Sequence, residues 1–222
     1  KPMNRLLQGD VGCGKTLVAF CAALPVMAGG GQAAFLAPTE ILAEQHRANA
    51  ENYLSSLTSL PIRVASLTGS TSKAARDEVL RELAAGAIHL LIGTHALLED
   101  PVVFRELGLA IIDEQHRFGV DQRMRLRAKG KNPHVLSLTA TPIPRTLAMT
   151  AFGDLDVTTI RELPKGRPEI FTKIFRESRR EAALAQIAGE LQKGRQAYII
   201  YPLVEESEKI DVNTIDLISR IK

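Results

Sequence analysis

The sequence predicts an α/β fold: a parallel sheet covered by helices on both faces. Three observations predict it. Short apolar runs recur along most of the chain, helical patterns separate them, several opened by Thr, Ser or Pro, and a glycine-rich turn joins the first run to the first helix. Strands buried on both faces lose the polar alternation of a half-exposed sheet, as these runs do.

Taken in order, the first strand is expected at residues 5–7 and the first helix at 15–27. A strand at 33–36 leads through Pro38 and Thr39 into a helix at 40–53, with Thr39 as its N-cap. A strand at 63–67 precedes a helix at 72–85, and strands follow at 89–92, 109–112 and 135–138. Helices are expected at 121–128 and at 144–151, the second started by Pro144. The stretch Leu163-Pro164-Lys165-Gly166-Arg167-Pro168 then breaks the pattern and reads as a hinge. Beyond it, a strand at 170–175, a helix at 177–193, a strand at 197–201 and a helix at 210–222 begin a second α/β unit. The expected organisation is a first lobe over 1–163, cut at its N-terminus, a linker over 164–169, and an incomplete second lobe over 170–222.

The chain has 222 residues, 45% hydrophobic and 24% charged, which is an ordinary globular balance. Its 28 Lys and Arg against 25 Asp and Glu give a net charge of +3, compatible with a nucleic-acid partner but too small to demonstrate one. Two cysteines, Cys13 and Cys21, form neither a CxxC pair nor a cluster with histidine, so disulfide scaffolding and zinc are not expected. The sequence shows no run of 18 apolar residues and no charged-then-apolar leader, which points away from the membrane and towards a reducing cytoplasm.

Two segments carry the chemistry. Gly9-Asp10-Val11-Gly12-Cys13-Gly14-Lys15-Thr16 fits the phosphate-binding P-loop at every fixed position, between a strand and a helix as the motif requires. Its glycines let successive N–H groups converge on phosphate oxygens, Lys15 reaches the β- and γ-phosphates, and the Thr16 hydroxyl ligates magnesium. Asp113-Glu114-Gln115-His116 ends an apolar strand, where ligands gather in open α/β sheets. Asp113 is the candidate magnesium carboxylate and Glu114 the residue that orients or deprotonates the attacking water. Together they imply nucleoside triphosphate hydrolysis with Mg2+; the family resemblance below implies that the triphosphate is ATP.

Asp113-Glu114-Gln115-His116 resembles motif II of the superfamily 2 helicases. The run 116–123, the segment Thr139-Ala140-Thr141-Pro142-Ile143-Pro144-Arg145-Thr146-Leu147, the P-loop, the run Ala37-Pro38-Thr39-Glu40 to His46, and Gly93-Thr94-His95-Ala96-Leu97-Leu98 are together similar to the RecG family of bacterial ATP-dependent DNA helicases. Gln115, Gln196-Ala197-Tyr198 and the acidic run at 204–208 favour that family over the transcription-repair coupling translocases, which usually carry a second acidic residue at the Gln115 position. Cys13 departs from the serine common in the family's P-loops, at a position where backbone amides do the binding.

The resemblance implies RecA-like lobes and DNA as the activating partner: branched, forked or Holliday-junction DNA with single-stranded regions, acted on in recombination and repair of stalled replication forks. It implies a monomer in the bacterial cytoplasm, associated with the nucleoid. On it, Gln115 senses the γ-phosphate, His116, Thr139 and Thr141 couple the nucleotide to DNA, and Pro38, Thr39, Gly93, Thr94 and His95 touch the DNA backbone. Physical chemistry allows both DNA turns, since each follows a strand and precedes a helix whose N-terminus favours phosphate, although ordinary N-caps look the same. Arg117, Arg123, Arg125, Arg127, Lys129 and Lys131 form a basic run that suits either phosphate contact or a solvated face. The family's arginine finger and wedge domain are expected outside these residues, so the isolated segment should be weakly active or inactive. Two rival readings remain at this stage: a transcription-repair coupling translocase and a small-molecule P-loop kinase.

Overall fold

The computed structural model describes residues 1–55, 57, 61–141, 155–162 and 170–199. Two compact units divide the chain, Lys1–Arg167 and Pro168–Lys222.

The first unit is built on a seven-stranded parallel sheet. Its strands are β1 (Asn4–Gly9), β2 (Gln32–Leu36), β3 (Val64–Leu67), β4 (Leu90–Gly93), β5 (Leu107–Ile112), β6 (His134–Thr139) and β7 (Asp156–Ile160), in the order β3-β4-β2-β5-β6-β1-β7. Every pairing is parallel, which requires each connection to cross back over a face. The crossovers include helices α1 (Lys15–Ala28), α2 (Glu40–Leu54), α3 (Lys73–Ala85) and α4 (Val120–Ala128), and they leave the sheet covered on both sides.

Strand β2 shows why the apolar runs do not alternate with polar residues. All five of its residues are buried, with Ala33 and Phe35 facing one core and Ala34 and Leu36 the other. The first core packs Phe20 and Met27 of α1 and Ala43 and Ala50 of α2 against Leu7, Phe35, Ile92, Ile111 and Leu138. The second packs Leu83 of α3 and Leu126 of α4 against Leu36, Leu91 and Ile112. Each such Leu, Ile or Phe contributes about 1.5–3 kcal/mol by leaving water.

Local chemistry sets the helix ends. Thr39 Oγ1 accepts from the Leu42 amide at α2, Ser72 caps α3, and α3 stops at Gly86, whose φ of 80° a side chain would oppose. Strand β7 was not expected. It pairs with β1 from Arg5↔Asp156 to Gly9↔Ile160 and forms an edge of the sheet, half exposed throughout.

In the second unit, a short 3-10 turn (Glu177–Arg179) leads into α5 (Arg180–Gln192), within the helix expected at 177–193. The strand expected at 170–175 is absent: these residues are irregular and exposed, Ile174 almost wholly so. Residues 197–199 of the strand expected at 197–201 are likewise unpaired. Strands need a partner for their backbone groups, and among the described residues neither segment has one. The helices expected at 144–151 and 210–222, and the 164–169 linker, lie outside the described residues.

Candidate nucleotide site and nucleic-acid face

The P-loop leaves β1 at Gly9 and enters α1 at Lys15. Between them, Gly12 (φ 80°) and Gly14 (φ 93°) adopt left-handed backbone conformations, and the Cys13 amide donates to the Asp10 carbonyl at 3.2 Å. Alternation of this kind curls backbone N–H groups towards one point, and no side chain caps α1, so its first amides add to that concavity. Lys15 Nζ donates to the carbonyls of Gly9 at 2.8 Å and Asp10 at 2.9 Å, folding back over the loop. Gly9 is closely packed: a Cβ there would lie 2.6 Å from Cys13 Sγ and 3.1 Å from Ile160 Cβ, so a larger residue would have to displace the Cys13 side chain. Thr16 is half-buried in the first turn of α1.

Asp113 follows β5, two strands across the sheet from β1, which is about 10 Å of backbone spacing. Its amide extends the sheet by donating to the Leu36 carbonyl at 2.9 Å. One carboxylate oxygen accepts from the Glu114 amide at 3.1 Å, and the other lies 2.9 Å from Nε2 of His46, a residue of α2 to which the sequence assigned no role. Thr16 and Asp113 offer one hydroxyl and one carboxylate, and no cluster of three metal-ligating side chains exists among the described residues. Such a sparse oxygen set fits magnesium, which keeps waters and takes phosphate oxygens as its other ligands.

Glu114 is held in a left-handed conformation, φ 46° and ψ 59°, the only non-glycine residue so placed among those described. A side chain there is disfavoured by sterics, and such strain persists only where the surroundings impose it. Here its Oε2 accepts from the Ala140 amide at 3.4 Å, with His116 Nδ1 also 3.4 Å away. Thr139 Oγ1 and Thr141 Oγ1 bond each other at 2.9 Å, and the Thr141 amide donates to Thr139 Oγ1. The Glu114 carboxylate therefore meets the 139–141 segment through a backbone amide, and His116 meets that carboxylate rather than the threonine hydroxyls. Gln115 is buried at 2% exposure and lines a cavity of about 270 Å³ against Arg123, Met124 and Arg127, with little surface for a phosphate.

A second set of turns gathers at the C-terminal ends of the adjacent strands β3, β4 and β2. Pro38 is partly exposed, Thr39 and His95 are exposed. Glu40, beside Thr39, accepts from the Ser70 amide at 3.0 Å and the Ser70 hydroxyl at 2.8 Å, joining α2 to the loop after β3. The Ser70 hydroxyl and amide bonds hold the Glu40 carboxyl below the usual carboxylate range. That loop, Thr68-Gly69-Ser70-Thr71, is a strand-to-helix turn of the same kind as Pro38-Thr39, and the pattern itself was the signal that could have found it.

Gly93 and Thr94 depart from the expected N-cap. Gly93 is buried, and a Cβ on it would lie 2.0 Å from the Leu67 carbonyl oxygen and 2.1 Å from Leu97 Cδ1, so packing demands the glycine. Thr94 is 3% exposed, makes no cap hydrogen bond, and precedes only a four-residue 3-10 turn, His95–Leu98. Of that trio only His95 presents a side chain outwards. The basic run divides too: Lys129 donates to the carbonyls of Glu99 at 2.7 Å and Val102 at 2.8 Å, and burial pushes its ammonium below its usual pKa. It braces a loop, while Arg117, Arg125, Arg127 and Lys131 are exposed.

The chain is 54% identical over 211 residues to the ATP-dependent DNA helicase RecG of Synechocystis, covering 95% of this chain and 25% of that protein. It is 54% identical over 216 residues to RecG of Bacillus subtilis, covering 97% of this chain and 31% of the relative. The structure of a RecG bound to a three-way DNA junction superimposes with a TM-score of 0.80 at 42% identity, over 100% of this chain and 29% of that one. The chain thus spans about a quarter to a third of the length of these relatives, and its fold is that of a RecA-like lobe. Residues 1–150 match the DEAD/DEAH box helicase model, and the chain belongs to that family.

Proposed function

We propose that this chain is the nucleotide-hydrolysing segment of an ATP-dependent DNA helicase that remodels branched DNA, forks and Holliday-type junctions among its substrates. The observation that carries the reading is the placement of a P-loop and an Asp113-Glu114 pair on one edge of the sheet that also bears the Thr39, Ser70 and His95 turns. The RecG relatives narrow the class to DNA.

In this reading the loop amides and Lys15 hold the triphosphate, and Thr16 and Asp113 hold magnesium. Bound magnesium supplies charge neutralisation at the phosphate oxygens. Glu114 orients the attacking water and takes its proton, with the Ala140 amide fixing the carboxylate. Motion of that carboxylate as the proton arrives is felt at 139–141, which is the coupling assigned to His116, Thr139 and Thr141. Thr39 and His95 meet the DNA backbone. The division into lobes at 1–163 and 170–222, a monomeric state and a cytoplasmic, nucleoid-associated location belong to the same proposal. No helix among the described residues is long and apolar enough to cross a membrane.

The test is ATP turnover by the full-length protein with forked DNA, single-stranded DNA and no DNA, alongside Lys15→Ala and Glu114→Gln. Fork-stimulated turnover abolished by both substitutions is expected. Turnover indifferent to DNA would overturn the DNA reading, and turnover surviving Glu114→Gln would overturn the assigned base.

A further inference from the structure

We propose that His46 is a positioning residue for the Asp113 carboxylate, and that through α2 it ties the nucleic-acid face to the magnesium ligand. The second clause rests on the function proposed above; the first rests on geometry within the first unit.

His46 lies in the stripe of α2 that faces the sheet, in line with Ala43, Ala50 and Leu54. Burial at that position asks only for hydrocarbon, yet it holds an imidazole that is 7% exposed. The ring packs on Phe35 with centroids 4.5 Å apart, which fixes its plane, and Nε2 reaches Asp113 Oδ2 at 2.9 Å. A carboxylate only accepts, so Nε2 carries the proton. Nδ1 is buried with no hydrogen-bond partner among the described residues, so the ring's one polar contact there is to Asp113. A buried histidine kept merely for structure would normally satisfy both nitrogens.

For Asp113 the contact decides orientation. Its side chain is 13% exposed, one oxygen is held by the Glu114 amide, and the other is held by His46. A half-buried carboxylate with both oxygens engaged cannot rotate freely, and lone pairs remain for a cation or its water. Partners of this kind behind a metal ligand change metal affinity or activity by 10–100-fold, roughly, when removed.

The link to the nucleic-acid face follows from helix geometry. Thr39 caps α2, and His46 lies seven residues further on, about 10 Å along the same axis. Glu40 fixes the start of the helix to the Ser70 turn. A displacement of that turn by a bound strand carries α2, and with it Nε2, relative to the end of β5.

The experiment uses the full-length protein with His46→Leu, which removes the donor, and His46→Gln, whose amide can restore one. Binding of Mn2+ with a non-hydrolysable ATP analogue is measured by electron paramagnetic resonance. Nucleotide affinity without metal, and ATP turnover against Mg2+ concentration with and without forked DNA, are measured in parallel. His46→Leu is expected to weaken metal binding about tenfold or more and to raise the Mg2+ requirement equally, with metal-free nucleotide affinity unchanged. His46→Gln is expected to recover most of the loss. Unchanged metal binding in His46→Leu, or equal losses in both variants, overturns the positioning role. If His46→Leu fails to fold by circular dichroism, His46→Phe, which keeps an aromatic ring against Phe35, replaces it. The metal-binding arm needs no turnover, so it reports on His46 even if DNA leaves wild-type ATPase unchanged. Equal DNA stimulation in wild type and His46→Leu at saturating Mg2+ overturns the coupling clause alone.

Discussion

Glu114 and Ala140, 26 residues apart, meet where the glutamate carboxylate accepts the alanine amide at 3.4 Å. The contact lets a strained residue at the end of β5 feel the backbone just after β6. Its stiffness depends on the two threonines flanking Ala140, since Thr139 Oγ1 bonds both the amide and the hydroxyl of Thr141.

Thr139→Val, which keeps shape and burial but removes both bonds, is therefore expected to lower ATP turnover about tenfold, the equivalent of about 1.4 kcal/mol in barrier. Nucleotide affinity should stay near wild type, because the loop amides and Lys15 are untouched. Thr139→Ser should recover turnover. Steady-state kinetics separate the cases, and a pure affinity defect in the valine variant would contradict the assignment.

The Glu40–Ser70 junction should respond to pH in a defined direction. Hydrogen bonds from Ser70 hold the Glu40 carboxyl below its ordinary 4.5, so the contact is complete above that value and is lost as pH falls through the lowered folded value. The Ser70 amide resonance, followed by NMR, should titrate with a midpoint below 4.5. Glu40→Ala should abolish that titration, and a midpoint above 4.5 in the wild type would show that the carboxylate is not held.

Gly93 provides a stability test. Its added Cβ would lie 2.0 Å from a backbone oxygen of the neighbouring strand, which cannot rotate away, so Gly93→Ala should cost about 3 kcal/mol. Gly119→Ala, with open space around the new methyl, should cost less than about 1 kcal/mol. Denaturant midpoints compare the two. Equal midpoints would mean that β3 and β4 separate more easily than their packing implies.

What was legible in the sequence was local. The P-loop and Asp113-Glu114 each carry their chemistry in a few consecutive residues, and the two-sided burial of β2 shows directly as an unbroken apolar run. What stayed hidden depends on residues far apart in the chain: His46 meets Asp113 across 67 positions, and Glu40 meets Ser70 across 30. Neither partner signals the other by spacing. Thr94 looks like a cap on paper because a threonine before a short helical pattern usually is one, and only the packing around Gly93 turns it inwards. Strand β7 escaped because an edge strand is half exposed and lacks a full apolar run, although Val157-Thr158-Thr159-Ile160 carries the β-branched composition that could have marked it. Residues 170–175 erred the other way, since an apolar run signals a strand only when something pairs with it.

The strand order has one further consequence. Three strands, β3, β4 and β2, carry the outward turns, and three others, β6, β1 and β7, carry the P-loop and the 139–141 segment. Strand β5 alone borders both groups. A hydrogen-bonded sheet fixes its lateral spacing and makes a poor spring. News therefore has to pass between the two halves by side chains reaching over strand ends, and the residues that follow β5 are the toll gate. The two contacts already described do this, Asp113 reaching back to His46 on one side and Glu114 forward to the Ala140 amide on the other.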